Sequence, residues 1–170
     1  MISTLADRLL AGNTRFNMNL VASYIGDDQE KFDELIELML NADKPLRQRA
    51  AWALSIITDN KPRLIKPHET KLIEAFEDFS HTALHRCVLR YFASVEISEE
   101  KMGEMLNLCY KYLLDNKMPP AVKVHAMQII FNISEKEPDL KVELKLTLES
   151  IIDEGVPAIK SRGGQILKKL

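Results

Sequence analysis

Apolar positions recur in KPLRQRAAWALSIITD, residues 44–59, with the period of an amphipathic α-helix. Spacings of four, three, one and three residues place five apolar side chains on one stripe of that helix, namely Leu46, Ala50, Ala53, Leu54 and Ile57. Pro45 suits the first turn, where the backbone N–H that proline lacks has no helical partner. Because the stripe must be covered by other parts of the chain, this segment is predicted to be one element of a packed helical array.

The same order of apolar, basic and small positions recurs downstream in segments that begin at Leu84, Val122 and Ile159. The period is near 38 residues, which is typical of helix-pair repeats. A one-residue shift in the second copy would put Cys87 among the small residues, but it would break the apolar columns. The aligned columns read Leu54, Phe92, Ile130 and Leu167; Ile57, Val95, Ile133 and Leu170; and Ala50, Val88, Ala126 and Gly163.

The run Leu46-Arg47-x-x-Ala50-Ala51-x-Ala53-Leu54, followed by Asp59, resembles the HEAT repeat family and its armadillo-like relatives. The motif Pro62-x-Leu64-Ile65-x-Pro67, which opens a second amphipathic helix with Leu72, Ile73, Phe76 and Phe79, continues the resemblance over roughly residues 44–170. It implies an all-α fold, an α-α superhelix in which HEAT-like helix pairs stack as a right-handed solenoid. These repeats leave their exposed faces free to vary, so the resemblance implies little about function.

Two copies depart from the family pattern. The copy at Leu84 begins without a proline and has His85 where the family usually has arginine or lysine. The last copy has Gly163 and Gly164 in mid-helix, where we expect them to permit close packing.

The first 43 residues are predicted to form a short helix at Ile2 to Leu10 and two longer helices, at about Arg15 to Ile25 and Asp27 to Leu40. The chain has no Gly/Ser-rich linker, so a single domain over residues 1–170 is predicted. Its divisions are a diverged first repeat at about 1–43, repeats at about 44–80, 81–117 and 118–155, and a final helix at 156–170.

That final helix lacks a partner in the predicted order of elements. Ile166, Leu167 and Leu170 are expected to pack on the preceding pair with one side left exposed. An exposed apolar face predicts self-association, another partner or a chain that continues further.

Composition is ordinary for a globular protein, with 46% hydrophobic and 28% charged residues. No run approaches the roughly eighteen apolar residues of a membrane span, and Asp7 and Arg8 interrupt the N-terminal apolar stretch that a signal peptide would need. A cytoplasmic protein without membrane contact is therefore predicted. Cys87 and Cys109 lie in apolar helical patterns and are expected to be reduced thiols.

Charge is distributed unevenly along the chain. Residues 1–43 carry three basic and eight acidic side chains, residues 44–97 carry nine and six, and residues 98–170 carry eleven of each. The overall balance differs from the basic excess of a typical nucleic-acid module, although it leaves a local basic strip open.

Two candidate contact sites follow from this pattern. Asp33, Glu34 and Glu37 form either the polar outer face of a terminal repeat or a surface that binds a basic partner. Trp52 lies outside the buried stripe, in a column whose other members are Arg90, Gln128 and Gln165. It is either an interface anchor or a side chain that packs on an adjacent repeat.

A basic column is the third candidate site, formed by Arg47, His85, Lys123 and Lys160. Stacked repeats would align these side chains into a ladder that reaches anionic groups. The family resemblance implies a structural role instead, with ion pairs to nearby acids such as Asp43, Asp59, Glu96 and Glu135.

No catalytic or cofactor motif is present. The sequence lacks a phosphate-binding loop, a nucleophile elbow and a dinucleotide-binding glycine motif. His81 and His85 are four residues apart, but no third metal ligand accompanies them. The sequence therefore predicts no enzyme, no cofactor and no metal site.

The predicted function is a non-catalytic scaffold or adaptor that binds another protein or peptide, and a helper subunit of a larger enzyme would look the same. The alternative is a nucleic-acid-binding protein, because the chain also resembles the HEAT-like DNA alkylation-repair glycosylases. The sequence lacks an aromatic and carboxylate cluster that matches the active site of those enzymes. The cations that would contact phosphates in this alternative are Arg47, Lys123, Lys160, Arg162, Lys168 and Lys169.

Overall fold

The computed structural model describes residues 4–170, a range that contains helices and no β-strand. The predicted all-α class is confirmed, and the helices pack in a repeating fashion. None of the helices in this range has the length and apolarity to cross a bilayer. The helices are α1 (Leu5–Leu10), α2 (Arg15–Ile25), α3 (Gln29–Asn41), α4 (Leu46–Thr58), α5 (Glu69–Glu74), α6 (Thr82–Phe92), α7 (Glu99–Leu114), α8 (Pro120–Ser134), α9 (Leu140–Ile152) and α10 (Pro157–Leu167).

The chain divides between Tyr91 and Phe92 into two compact units, named unit 1 and unit 2 in chain order. In unit 1, α1, α2 and α3 all pack against one another and against α4. In unit 2, α7 packs on α8, and α8 and α9 pack on α10. The single domain and its repeat boundaries stay predictions.

The first helices begin at polar caps. The side chains of Thr4 and Asp7 accept hydrogen bonds from each other's backbone N–H at 3.1 and 3.0 Å, a capping box that starts α1. The predicted start of this helix, at Ile2, lies outside the described residues. Thr14 caps α2, whose predicted span is confirmed. Asp28 caps α3, which begins two residues later than predicted.

The apolar stripe of α4 is buried as predicted at four of its five positions, Ala50, Ala53, Leu54 and Ile57, and Leu46 is half-buried. Alanine on this stripe keeps neighbouring helix axes close, which lets α4 pack against several helices at once. All four members of the small column are buried, and so is Cys87, the member in the alternative register, so the register of the copies stays a prediction.

The prediction that Pro67 opens one continuous helix through Phe79 is wrong. Two 3₁₀ turns, Pro62–Leu64 and Lys66–His68, precede the six-residue α5, and a third 3₁₀ turn, Phe76–Asp78, follows it. Both prolines lack the N–H that a longer helix would use. The apolar residues of the segment still reach the core: Leu64, Ile65, Leu72, Ile73, Phe76 and Phe79.

Close helix packing in unit 2 depends on one of the two adjacent glycines. A Cβ atom at Gly163 would lie 2.7 Å from Cδ1 of Ile152, whereas one at Gly164 would meet nothing within 4 Å. The expectation of close packing is therefore confirmed for Gly163 alone.

The last helix exposes less apolar surface than expected. Ile166 is buried, and Leu167 and Leu170 are half-buried. Self-association through α10 stays a prediction, and the burial of these side chains leaves it with little apolar surface.

Candidate functional site: the Trp52 pocket

A surface pocket of about 220 Å³ in unit 1 contains Trp52, the predicted contact residue. We call it the Trp52 pocket. Trp52 is half-buried, so its ring is partly fixed by packing and partly accessible. The pocket is lined by Asn13, Pro45, Gln48, Arg49, Trp52, His81, Ala83 and Arg86.

Helix α4 and the residue before it form one wall of the pocket. Pro45, Gln48, Arg49 and Trp52 follow the spacing i, i+3, i+4 and i+7, which places them on one helix face. The buried stripe of α4 uses other positions, so the helix packs with one face and leaves this polar and aromatic face at the surface.

Arg49 fixes this wall to the end of α1. Its Nη1 donates hydrogen bonds to the backbone carbonyls of Leu9 at 3.1 Å and Leu10 at 3.0 Å. A cation is favoured at this position because the carbonyls of a helix C-terminus carry partial negative charge. The side-chain amide of Asn17 donates to the carbonyl of Gly12 at 3.1 Å and so holds the turn that carries Asn13.

The opposite wall comes from the start of α6. Nδ1 of His81 accepts a hydrogen bond from the backbone N–H of Ala83 at 3.1 Å. Nδ1 therefore carries no proton, and Nε2–H is left as a hydrogen-bond donor. Arg86 is exposed and forms no ion pair with any residue in the range 4–170. The pocket lining contains no carboxylate.

The structure pairs two of the three predicted acidic contact residues within unit 1. Oδ1 of Asp33 lies 2.6 Å from Nε2 of His68 and accepts a hydrogen bond from Gln29 at 2.8 Å. The bond from Gln29 is the largest cause that lowers the pKa of Asp33, and His68 adds to it. Glu37 forms an ion pair with Lys71. Glu34 is exposed, and the side chains of Asp33 and Glu37 keep 49% and 54% of their surface accessible beside their partners.

In unit 1 the basic column contributes one partly exposed cation, Arg47. Arg47 donates to the carbonyl of Ala42 at 2.8 Å and to the hydroxyl of Ser80 at 2.6 Å. His85 is 4% exposed, so it cannot act as a surface cation. In unit 2, Lys160 is exposed, and Lys123 lines a cleft of about 510 Å³ that Lys160 does not line.

Three of the four nearby acids do form ion pairs, but with cations outside the basic column. Asp59 receives two hydrogen bonds from Arg90, at 3.1 and 2.6 Å. Glu96 pairs with Lys136, and Glu135 pairs with Lys141 at 2.6 Å. Asp59 and Glu135 cap the C-terminal ends of α4 and α8, where the helix dipole repels negative charge. These pairs offset that repulsion and have a structural role.

His85 packs against two aromatic rings instead. Its ring centroid lies 4.8 Å from that of Phe76 and 5.3 Å from that of Phe79, both edge-on. A 3₁₀ turn aligns positions i and i+3, which brings both phenylalanines to the same histidine. Burial lowers the pKa of His85 below its ordinary value of 6.5.

The stability of the protein is therefore expected to fall in acid partly through His85. The unfolded chain binds the His85 proton more readily than the folded chain, so the free energy of unfolding decreases as the pH falls below 6.5. His85→Leu removes this contribution and keeps the site apolar. Urea unfolding across pH should show a constant difference in the free energy of unfolding between the two proteins above neutrality. In acid the variant should lose less stability than the wild type. A difference that does not vary with pH would contradict this account.

The metal-ligating and thiol side chains of the described residues are dispersed or buried. No group of three or more histidine, cysteine or acidic side chains capable of holding a metal ion occurs among residues 4–170. Cys87 and Cys109 are buried free thiols, and burial raises the pKa of each. Burial also raises the pKa of Tyr110 to about 12.

The sequence singled out Trp52 as a candidate contact residue but did not indicate the residues that surround it. The spacing of Pro45, Gln48 and Arg49 relative to Trp52 was a usable signal for one wall. No sequence signal indicated that Asn13 and Arg86 would meet this helix face, because both come from distant segments.

These features define an all-α protein of the helical-repeat class. The chain belongs to the HEAT repeat domain family, whose family profile matches residues 5–170. This membership confirms the resemblance and identifies the chain as a helical-repeat scaffold. No significant match was found among curated proteins or among solved structures.

Proposed function

We propose that this protein is a non-catalytic scaffold or adaptor that binds another protein through the Trp52 pocket. The half-buried Trp52 in a pocket of about 220 Å³ is the observation that supports this function most directly. Tryptophan and arginine are the side chains most enriched at the energetic centres of protein interfaces. The proposal includes a cytoplasmic location.

Hydrogen bonds hold one wall of the pocket and the turn beside it in place. Arg49 holds α4 to the carbonyls at the end of α1, and Asn17 holds the adjoining turn. A site that is already ordered loses less conformational entropy when a partner binds, which favours affinity.

A non-catalytic role agrees with the composition of the pocket. Its lining has no cysteine, serine, threonine or carboxylate that could act as a nucleophile. His81 is the one lining residue of a type that commonly acts in acid-base catalysis, and no carboxylate accompanies it within the lining.

The nucleic-acid alternative receives less support from the charge of unit 1. Residues 4–91 carry 12 basic and 13 acidic side chains, so unit 1 has no cationic excess that would follow a phosphate backbone.

Selection of peptide ligands tests the proposal. A random peptide display library is selected on the immobilised full chain, and the affinities of recovered peptides are measured against the wild type and Trp52→Ala. Loss of the aromatic anchor is expected to weaken binding by about tenfold or more.

Phe16→Ala is the matched control, because Phe16 is 72% exposed and does not line the pocket. It should bind the same peptides as tightly as the wild type does. Far-UV circular dichroism establishes that both variants are folded. The proposal is wrong if Trp52→Ala and Phe16→Ala bind the recovered peptides equally well.

A further inference from the structure

We infer that the Trp52 pocket binds an acidic peptide segment, with one large apolar side chain against Trp52 and carboxylates beside the cationic walls. This inference rests on the proposed function and specifies the chemistry of the partner. It follows from the charges of the lining, from its donors and from the size of the pocket.

The pocket lining supplies no carboxylate to pair with its cations. Arg49 and Arg86 are both part of the lining, and neither forms an ion pair with a residue of the described chain. The partners of Arg49 are the neutral carbonyls of Leu9 and Leu10. A partner that covered these two cations without supplying negative charge would remove them from water at a cost.

The hydrogen-bond donors of the lining also favour an anionic ligand. Nε2–H of His81 and the guanidinium of Arg86 can each donate to a carboxylate, and hydrogen bonds of this kind are stronger than neutral ones. The side-chain amides of Asn13 and Gln48 add further donors without adding negative charge. A basic segment would be repelled at the same place.

The size of the pocket limits the apolar part of the ligand to one side chain. Its volume of about 220 Å³ is below the roughly 300–1,000 Å³ of pockets for drug-sized ligands. Trp52 and Pro45 supply the apolar contact surface. The near balance of 12 basic and 13 acidic side chains in residues 4–91 favours a short acidic peptide over a nucleic acid, which needs a longer cationic track.

The composition of the selected peptides tests this inference. Peptides that depend on Trp52 should be enriched in aspartate and glutamate and depleted of lysine and arginine relative to the unselected library. Their affinity should fall about tenfold or more in Arg86→Glu, which places a negative charge at the rim. It should also fall when salt is raised from about 50 mM to about 500 mM, because exposed charges are screened.

Lys66→Glu provides the control for the change in charge. Lys66 is exposed, lies in unit 1 outside the pocket lining and forms no ion pair with the described residues. This variant makes the same change in net charge as Arg86→Glu, and it should alter affinity less than about twofold.

The outcomes separate this inference from the proposed function. Peptides that require Trp52 but are not acidic, or that bind Arg86→Glu as tightly as the wild type, overturn the inference and leave the proposed function standing. If no recovered peptide requires Trp52, both are overturned. A single-stranded oligothymidylate that binds with higher affinity than every peptide, and loses it in Arg86→Glu, would assign the pocket to nucleic acid instead.

Discussion

Replacement of Phe76 by alanine is expected to lower the free energy of unfolding by about 3–5 kcal/mol. Phe76 has no exposed surface, and its ring centroid lies 5.3 Å from that of Phe79 and 4.8 Å from that of His85. Truncation would leave a cavity beside both rings. The short 3₁₀ turn that contains Phe76 has few hydrogen bonds of its own, so it depends on this packing.

Phe16→Ala makes the same chemical change at a side chain that is 72% exposed. The free energy of unfolding of this variant should stay within about 0.5 kcal/mol of the wild-type value. Urea unfolding followed by circular dichroism measures both variants. Equal losses for Phe76→Ala and Phe16→Ala would show that the 3₁₀ turn does not contribute to the core of unit 1 as described.

Gly163→Leu is expected to destabilise the protein by about 1–3 kcal/mol, because an added side chain would overlap Ile152. The Cβ atom alone would lie 2.7 Å from Cδ1 and 2.9 Å from Cγ1 of that isoleucine. Leucine has a higher helix propensity than glycine, by about 0.8 kcal/mol, so a net loss reports overpacking between α9 and α10.

Gly164→Ala should have the opposite effect. A Cβ atom at Gly164 has nothing within 4 Å, so the substitution should raise stability by about 0.5–1 kcal/mol through helix propensity. Thermal unfolding of Gly163→Leu and Gly164→Ala under the same conditions measures both changes in stability. The account of this helix contact is incorrect if Gly163→Leu is as stable as Gly164→Ala.

The difference between these two glycines marks a limit of prediction from sequence. Periodicity placed Gly163 in the small column with Ala50, Val88 and Ala126, and all four are buried. Periodicity reports which face of a helix is covered, so it found the column and most of the stripe of α4. It does not report how closely the neighbouring helix approaches, which decided that Gly163 is constrained and Gly164 is not.

The segment between α4 and α6 shows a second limit. Its apolar residues were assigned to the core correctly, whereas their secondary structure was not. Two prolines and closely spaced buried positions favour tight turns in this segment. The third 3₁₀ turn, Phe76–Asp78, is stabilised by the packing of Phe76 and Phe79 on His85. Local propensity does not contain that contact.

For the candidate sites as well, the sequence identified individual residues but not the contacts that they make. Trp52 was singled out because its column is otherwise polar, and the structure places it at the surface, half-buried. The acidic and basic candidates were recognisable by charge, but their partners were not. Asp33, Glu37 and Arg47 are held by side chains 33 to 35 residues away, and sequence spacing does not identify such partners.

The emission of Trp52 gives the most direct test of the central claim, because this is the only tryptophan in the chain. Titration of the wild-type protein with a peptide recovered from the unbiased library should shift the emission to shorter wavelength and saturate. The dissociation constant from this titration should equal the one measured by calorimetry. A peptide that binds by calorimetry, leaves the emission of Trp52 unchanged and binds Trp52→Ala equally well would contradict the claim that the Trp52 pocket is the binding site.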